Sequence, residues 1–169
     1  MIAIDTSVAV KWFKPGERCE SQALDLLSRF DGGEVEVAAA EILSLEVVRG
    51  LKNAQVRQPV LALTDERIGR ASERLEGMFR EGALLECPVA EVKALAKDLE
   101  IEISLYMADA LHLATAIYLG ATHFAVDDQH FLEPDVVKHA AGLGVEIVDL
   151  PRLIAALDSP PDPRSAPEP

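Results

Sequence analysis

The chain has 169 residues, enough for one domain with a sizeable core, and 49% hydrophobic with 27% charged residues is a globular composition, not a disordered one. A formal net charge of −13 excludes the broad basic footprint of a protein that binds nucleic acid by charge alone. The charge is uneven: residues 1–80 hold 11 Lys/Arg and 13 Asp/Glu, whereas 81–169 hold 5 and 16, so any contact with RNA or DNA must run through local cations or a metal ion. Cys19 and Cys87 lie far apart in no metal-type spacing, which argues against a disulfide or a zinc site. The N-terminus lacks the basic start and apolar run of a secretory signal, and no stretch approaches the roughly 18 apolar residues of a membrane span. A soluble, cytoplasmic protein with no membrane partner is the expectation.

In chain order, Ile2-Ala3-Ile4 is a short β-branched strand that ends abruptly in Asp5-Thr6-Ser7. Lys11 to Glu17 reads as a short helix closed by Pro15-Gly16. Glu20 to Phe30 has the helical spacing of Ala23, Leu26, Leu27 and Phe30, and Asp31-Gly32-Gly33 ends it. Val35 to Ala38 is a strand candidate, and Ala40 to Ala54 a helix with Leu43, Val47 and Leu51 on one face. Thr64 caps a helix running to Arg80. A strand over Ala83–Glu86 and a helix over Val89–Leu99 follow, and then the most apolar segment, Ser104–Leu119, closed by Gly120. His123–Val126 is a strand, Pro134–Ala141 a helix with proline at its start, Val145–Val148 a last strand, and Arg152–Leu157 a terminal helix. Strands alternating with helices imply βαβ units and a mostly parallel sheet covered on both faces: an α/β fold. Residues 1–157 read as one domain, and 158–169, with five prolines, as a disordered tail.

Four acidic positions stand out. Asp5 and the pair Asp127-Asp128 each follow a strand, so in a parallel sheet they reach the same crevice at the carboxyl ends; each could instead cap the next turn. Asp109 is one of three polar side chains, with His112 and Thr115, in a segment that is otherwise apolar apart from its tyrosines, where an unpaired carboxylate is costly. Glu46 borders the apolar stripe of its helix, while Glu41 competes for the same role from a more solvated position. Several carboxylates at one place raise one another's pKa unless a cation joins them. With only oxygen ligands on offer, Mg²⁺ or Mn²⁺ is the matching ion, and phosphodiester hydrolysis the matching chemistry.

Four stretches carry a resemblance to a known family: Ile2-Ala3-Ile4-Asp5-Thr6-Ser7, Glu41-Ile42-Leu43-Ser44-Leu45-Glu46-Val47-Val48-Arg49, Ala108-Asp109-Ala110-Leu111-His112-Leu113-Ala114-Thr115-Ala116, and Phe124-Ala125-Val126-Asp127-Asp128-Gln129-His130-Phe131. In this order the chain resembles PIN-domain ribonucleases, and in size the VapC-type toxins of bacterial toxin–antitoxin pairs. The resemblance covers residues 2 to about 150. It implies a three-layer α/β/α fold, Mg²⁺-dependent cleavage of single-stranded RNA, a homodimer, and a small antitoxin partner with a basic or amphipathic segment. Carried over by position, Asp5, Asp109 and Asp128 are metal ligands and Glu46 assists at the metal or the attacking water. Asp128 is chosen over Asp127 because it precedes Phe131 by three positions, as the family's last acid usually does. Thr6 and Ser7 are candidates to orient Asp5 or a water. Two departures stand out: Val126 replaces a frequent threonine, and Ala39-Ala40 replaces a frequent proline.

The alternative reading is a catalytically weak or silent PIN-like module that binds RNA or protein, which Val126 and the acidic surface favour. A third, an aspartate-based phosphotransferase using Asp5, lacks the second acid two positions on, where Ser7 stands. His112, one helical turn from Asp109, reads first as a core histidine and second as a base or ligand. Trp12 and Phe13 read as core, with Lys11 and Lys14 near a substrate backbone. Lys52, Arg57, Arg67, Arg70 and Arg74 form the best local cationic surface.

Overall fold

The computed structural model describes residues 1–61 and 63–159. Five strands form one all-parallel sheet in the order β3-β2-β1-β4-β5: β1 Ile2–Ile4, β2 Val37–Ala40, β3 Leu85–Cys87, β4 His123–Val126 and β5 Glu146–Asp149. Among the described residues eight helices cover it: α1 Thr6–Ala9, α2 Glu20–Asp31, α3 Leu43–Arg57, α4 Asp65–Arg80, α5 Val89–Ile103, α6 Met107–Tyr118, α7 Pro134–Gly142 and α8 Leu150–Asp158. This is the expected three-layer α/β/α architecture. None of these helices is long and apolar enough to cross a membrane.

The two-residue period of a strand divides the core in two. Ile2 and Ile4 pack with Leu26, Leu43, Val47 and Leu75 on one face, whereas Ala3 packs with Leu99, Leu113 and Phe131 on the other. In β4, Ala125 belongs to the first core and Phe124 and Val126 to the second. Parallel strands buried on both faces become continuous apolar runs, and β2, Val37-Ala38-Ala39-Ala40, is buried throughout.

Several boundaries differ from the sequence reading, for local reasons. The helix expected over Lys11–Glu17 is absent. Asp5 caps α1 immediately after β1, a 3-10 turn spans Val10–Trp12, and the chain turns at Gly16 with φ 82°. Strand β2 starts at Val37, not Val35, and takes in Ala39 and Ala40. The helix expected to open at Ala40 therefore opens three residues later, at Leu43. Strands β3 and β5 end one residue later than expected, and β3 starts at Leu85, not Ala83. Helix α5 continues past Leu99 to Ile103, where Ser104 takes a left-handed conformation (φ 56°) and donates its N–H to the Glu100 carbonyl at 3.1 Å. Asp158, assigned to the tail, closes α8 and accepts a hydrogen bond from Arg29; the tail beyond Ser159 lies outside the described residues.

The sheet order places a topological switch between β1 and β4: the chain leaves β1 towards β2 on one side and returns to β4 on the other. Crevices at the carboxyl ends of strands at such a point are where α/β proteins bind ligands. The two strands register Ile4 with Ala125, and the Asp5 N–H donates to the Ala125 carbonyl at 3.0 Å, so Asp5 and the segment after Val126 start side by side. Phe124 and Phe131 pack edge to face, centroids 5.0 Å apart, beneath the turn that carries Asp128. Phe124→Ala should cost about 3–5 kcal/mol of stability through the cavity it leaves, measured by urea unfolding.

Candidate active site

Asp5 leaves β1 and turns into α1. Its Oδ2 accepts the Ser7 N–H at 2.7 Å, the capping bond expected of an aspartate there, while its Oδ1 lies 3.9 Å from His112 Nε2. Capping and site placement therefore coexist, one on each carboxylate oxygen. Glu46 stands in the first turn of α3. Its Oε2 accepts the Thr6 hydroxyl at 2.8 Å and lies 2.7 Å from His112 Nε2. The Thr6 hydroxyl oxygen is itself 3.0 Å from that nitrogen, so the three groups close a triangle across α1, α3 and α6. Burial pushes Glu46 up, but the hydrogen bond and charge of His112, the Thr6 hydroxyl and nearby Arg49 outweigh it and hold Glu46 below the usual carboxylate range.

His112 is the residue the sequence reading undervalued. Its side chain is 1% exposed, and its Nδ1 is buried with no hydrogen-bond partner among the described residues. Its Nε2 faces the Glu46 and Asp5 carboxylates. Burial pushes its pKa down, but the Glu46 hydrogen bond and the charges of Asp5, Glu46 and Asp109 more than offset that and raise it. The signal was available: three positions separate Asp109 from His112, which puts both on one side of a helix.

Asp109 occupies the first turn of α6. The segment behind it, Ala110 to Ala116, is buried without interruption, but Asp109 itself is half-buried at the lip of the crevice, not enclosed as the sequence pattern suggested. Among the described residues it makes no ion pair or side-chain hydrogen bond. Its carboxyl is pushed up to about 6, first by burial, then by the charges of Asp5 and Asp128 and more weakly by Glu46, with His112 pulling the other way. One carboxyl thus registers three others. Asp128 completes the group from the turn after β4, where its Oδ1 accepts the His130 N–H at 2.9 Å.

Asp127 is occupied elsewhere. Its carboxylate, 7% exposed, lies 2.8 Å from the Nζ of Lys11, which is 4% exposed, and also takes Arg18. Its N–H donates to Ser7 Oγ at 2.8 Å. Asp127 and Ser7 therefore fasten the end of β4 to the start of α1, which fixes where the Asp128 carboxylate begins. Lys11 and Lys14 are ion-paired, Lys11 with Asp127 and Lys14 with Glu17, and are not spare cations beside a substrate. Trp12 is core, its Nε1–H donating to the Ala23 carbonyl at 3.1 Å. Glu41 is spent on the Val89 N–H at 2.8 Å, leaving Glu46 as the acid that α3 supplies to the crevice. On the cationic surface, Lys52 pairs with Asp65, Arg70 with Glu66 and Arg74 with Asp31.

The sequence pattern of the PIN domain matches residues 2–136. The chain belongs to the PIN domain family. No curated protein matches it at a significant level. PIN domains are generally nucleases and typically use divalent metal ions, and the donor set in this PIN domain suits one. Asp5, Asp109, Asp128 and Glu46 offer hard oxygen ligands, and the repulsion that raises Asp109 is what a cation relieves. Among the described residues no three His, Cys, Asp or Glu side chains converge into a ready-made metal cage. The acids lie near one another without forming a closed cage, and their oxygen donors suit a hard divalent ion.

Two outcomes follow from these electrostatics. The folded-state pKa of Asp109 lies above its ordinary 3.8, so the native protein binds the extra proton and metal-free stability falls as pH rises from about 4 to about 6. Asp109→Asn should therefore be more stable than wild type at about pH 8, by about 1–2 kcal/mol after allowance for solvent screening, and equal to it below about pH 4; urea unfolding across pH in EDTA checks this. Asp127→Ala, which leaves the buried Lys11 amine only the longer contact to Glu17 at 3.7 Å, should lose about 3 kcal/mol in the same assay.

Proposed function

We propose that the protein is a Mg²⁺-dependent endoribonuclease that hydrolyses RNA phosphodiester bonds, and that it serves in the cytoplasm as the toxin of a type II toxin–antitoxin pair. The observation that carries the hydrolase reading is the crowding of Asp5, Asp109, Asp128 and Glu46 at the switch between β1 and β4, registered in the raised pKa of Asp109. Such a cost is sustained where charge is needed for function.

In this reading Asp5, Asp109 and Asp128 hold the ion, with Mn²⁺ an acceptable substitute. When bound it neutralises phosphate charge and lowers the pKa of a water. Glu46 orients the attacking water. One oxygen, Oε2, is fixed by Thr6 and His112, and the other is left to accept the water's proton. The water oxygen forms the new bond to phosphorus, the bond to the 3′-oxygen breaks, and that oxygen leaves to be protonated from solvent. His112 holds Glu46 ionised and in place. Ser7 and Asp127 position Asp5 and Asp128.

The toxin role and a homodimer rest on the resemblance in size and motif order. The acidic second half of the chain is the complement of an antitoxin with a basic segment. A small open reading frame directly upstream, whose product co-purifies with this chain and blocks its activity, is the expected genetic context.

Purified protein should cleave single-stranded RNA with Mg²⁺ and stop in EDTA. Asp5→Ala and Asp109→Asn should abolish cleavage, and Glu46→Gln should slow it by about 100- to 10,000-fold. Cleavage that survives Asp5→Ala and Asp109→Asn would overturn the assignment. RNA binding with no metal-dependent cleavage would favour the silent binding module instead, the reading that the buried Val126 supports.

A further inference from the structure

Two aromatic side chains flank the acids without belonging to either core. Tyr106 precedes Asp109 by three positions, is 73% exposed and forms the N-terminal boundary of α6, whose middle, Ala110–Ala116, is buried. His130 follows Asp128 by two positions, and its side chain is 59% exposed. The rings come from segments distant in sequence, yet their centroids are 6.1 Å apart with a 42° tilt, and both remain largely exposed. Both rings line a small cavity of about 160 Å³, with Asp109, Ser104 and Glu133 also in its wall.

Packing does not account for this arrangement. A large ring held mostly in water gains little from burial. The chain presents Tyr106 through a constrained turn, in which Ser104 in the left-handed region ends α5 and the next helix starts three residues later. His130 is held by a second constrained turn, its N–H on Asp128 Oδ1 at 2.9 Å and its Nδ1 3.9 Å from the same oxygen. Each ring is thus anchored to the element that carries one of the candidate acids. Exposed rings on rigid backbone are what stack against unpaired nucleobases, and such stacking tolerates any base because every base has a π-face.

We propose that Tyr106 and His130 form a nucleobase platform that seats one unpaired base of a single-stranded RNA beside the acidic crevice. The assignment of RNA as ligand rests on the ribonuclease reading. The platform compensates for what the chain lacks elsewhere. A chain of net charge −13 has no overall basic footprint, so base stacking adds affinity to what local cations supply.

The test measures binding of a short fluorescein-labelled single-stranded RNA to the full chain in EDTA at low salt, by anisotropy, and separately the cleavage kinetics in Mg²⁺. Tyr106→Ala and His130→Ala should each weaken binding by about 5- to 100-fold. Tyr106→Phe, which keeps the ring, should bind like wild type. In Mg²⁺ the alanine variants should raise KM more than they lower kcat. Thermal melting and solution mass are recorded for every variant. Unchanged affinity in Tyr106→Ala, or no RNA binding by the wild type, overturns the platform. A change of oligomeric state in Tyr106→Ala also overturns it, because the rings would then be a contact between protein chains. A wild type that binds RNA through Tyr106 but never cleaves it leaves the platform standing and removes the ribonuclease reading. A wild type that cleaves while Tyr106→Ala cleaves with the same KM does the reverse.

Discussion

The hydrogen bond between His112 and Glu46, 2.7 Å long and almost wholly shielded on the histidine side, joins α6 to α3 across the carboxyl end of the sheet. Thr6 closes the same triangle from α1, so the three helices nearest the crevice meet at one carboxylate oxygen. An ionised glutamate has four lone-pair positions, and here two are fixed by donors on different elements. The position of Glu46 is therefore set by the tertiary structure and not by its own rotamer preference. The same imidazole lies between Glu46 and Asp5, so it offsets repulsion between acids that would otherwise push apart.

That repulsion is the organising constraint. Asp5 and Asp128 are delivered by adjacent parallel strands whose register leaves no freedom to separate them. Asp109 arrives on the end of a helix whose remaining turns are locked in the second core. The helix N-terminus favours a carboxylate, yet burial and three neighbouring acids outweigh it and leave Asp109 with a raised pKa. A hydrophobic framework thus holds Asp109 beside carboxylates that disfavour its charged form.

The adjacent aspartates after β4 show how closely position decides role. Asp127 turns inward to Lys11 and Arg18; Asp128, one residue on, caps a turn and leaves its carboxylate near the other acids. Successive residues of an extended segment point to opposite sides, so the two cannot share a task. Val126, fully buried, contributes packing where a hydroxyl would have added a further donor. Ser7 supplies the nearest compensation, its hydroxyl oxygen accepting the Asp127 N–H.

Apolar periodicity, with the cap and turn residues Thr64, Gly120 and Pro134, determined the order of the main elements after α1, because each amphipathic helix and each buried strand must carry its own pattern. The strand-end position of Asp5 and Asp128 and the anomalous polarity of Asp109 were equally legible, since a carboxylate breaking an apolar run is a local fact. Element edges were less so: β2 takes in Ala39 and Ala40 through their pairing with Glu86 and Cys87 of β3, and alanine carries no strand signal of its own. The different surroundings of Glu46 and Glu41, and of Asp128 and Asp127, come from partners more than 40 residues away: the Val89 N–H, the His112 ring and the Lys11 amine. His112 changed most. In sequence it was one polar residue in a buried helix, and only the meeting of α1, α3 and α6 gave it three polar neighbours and made it part of the site.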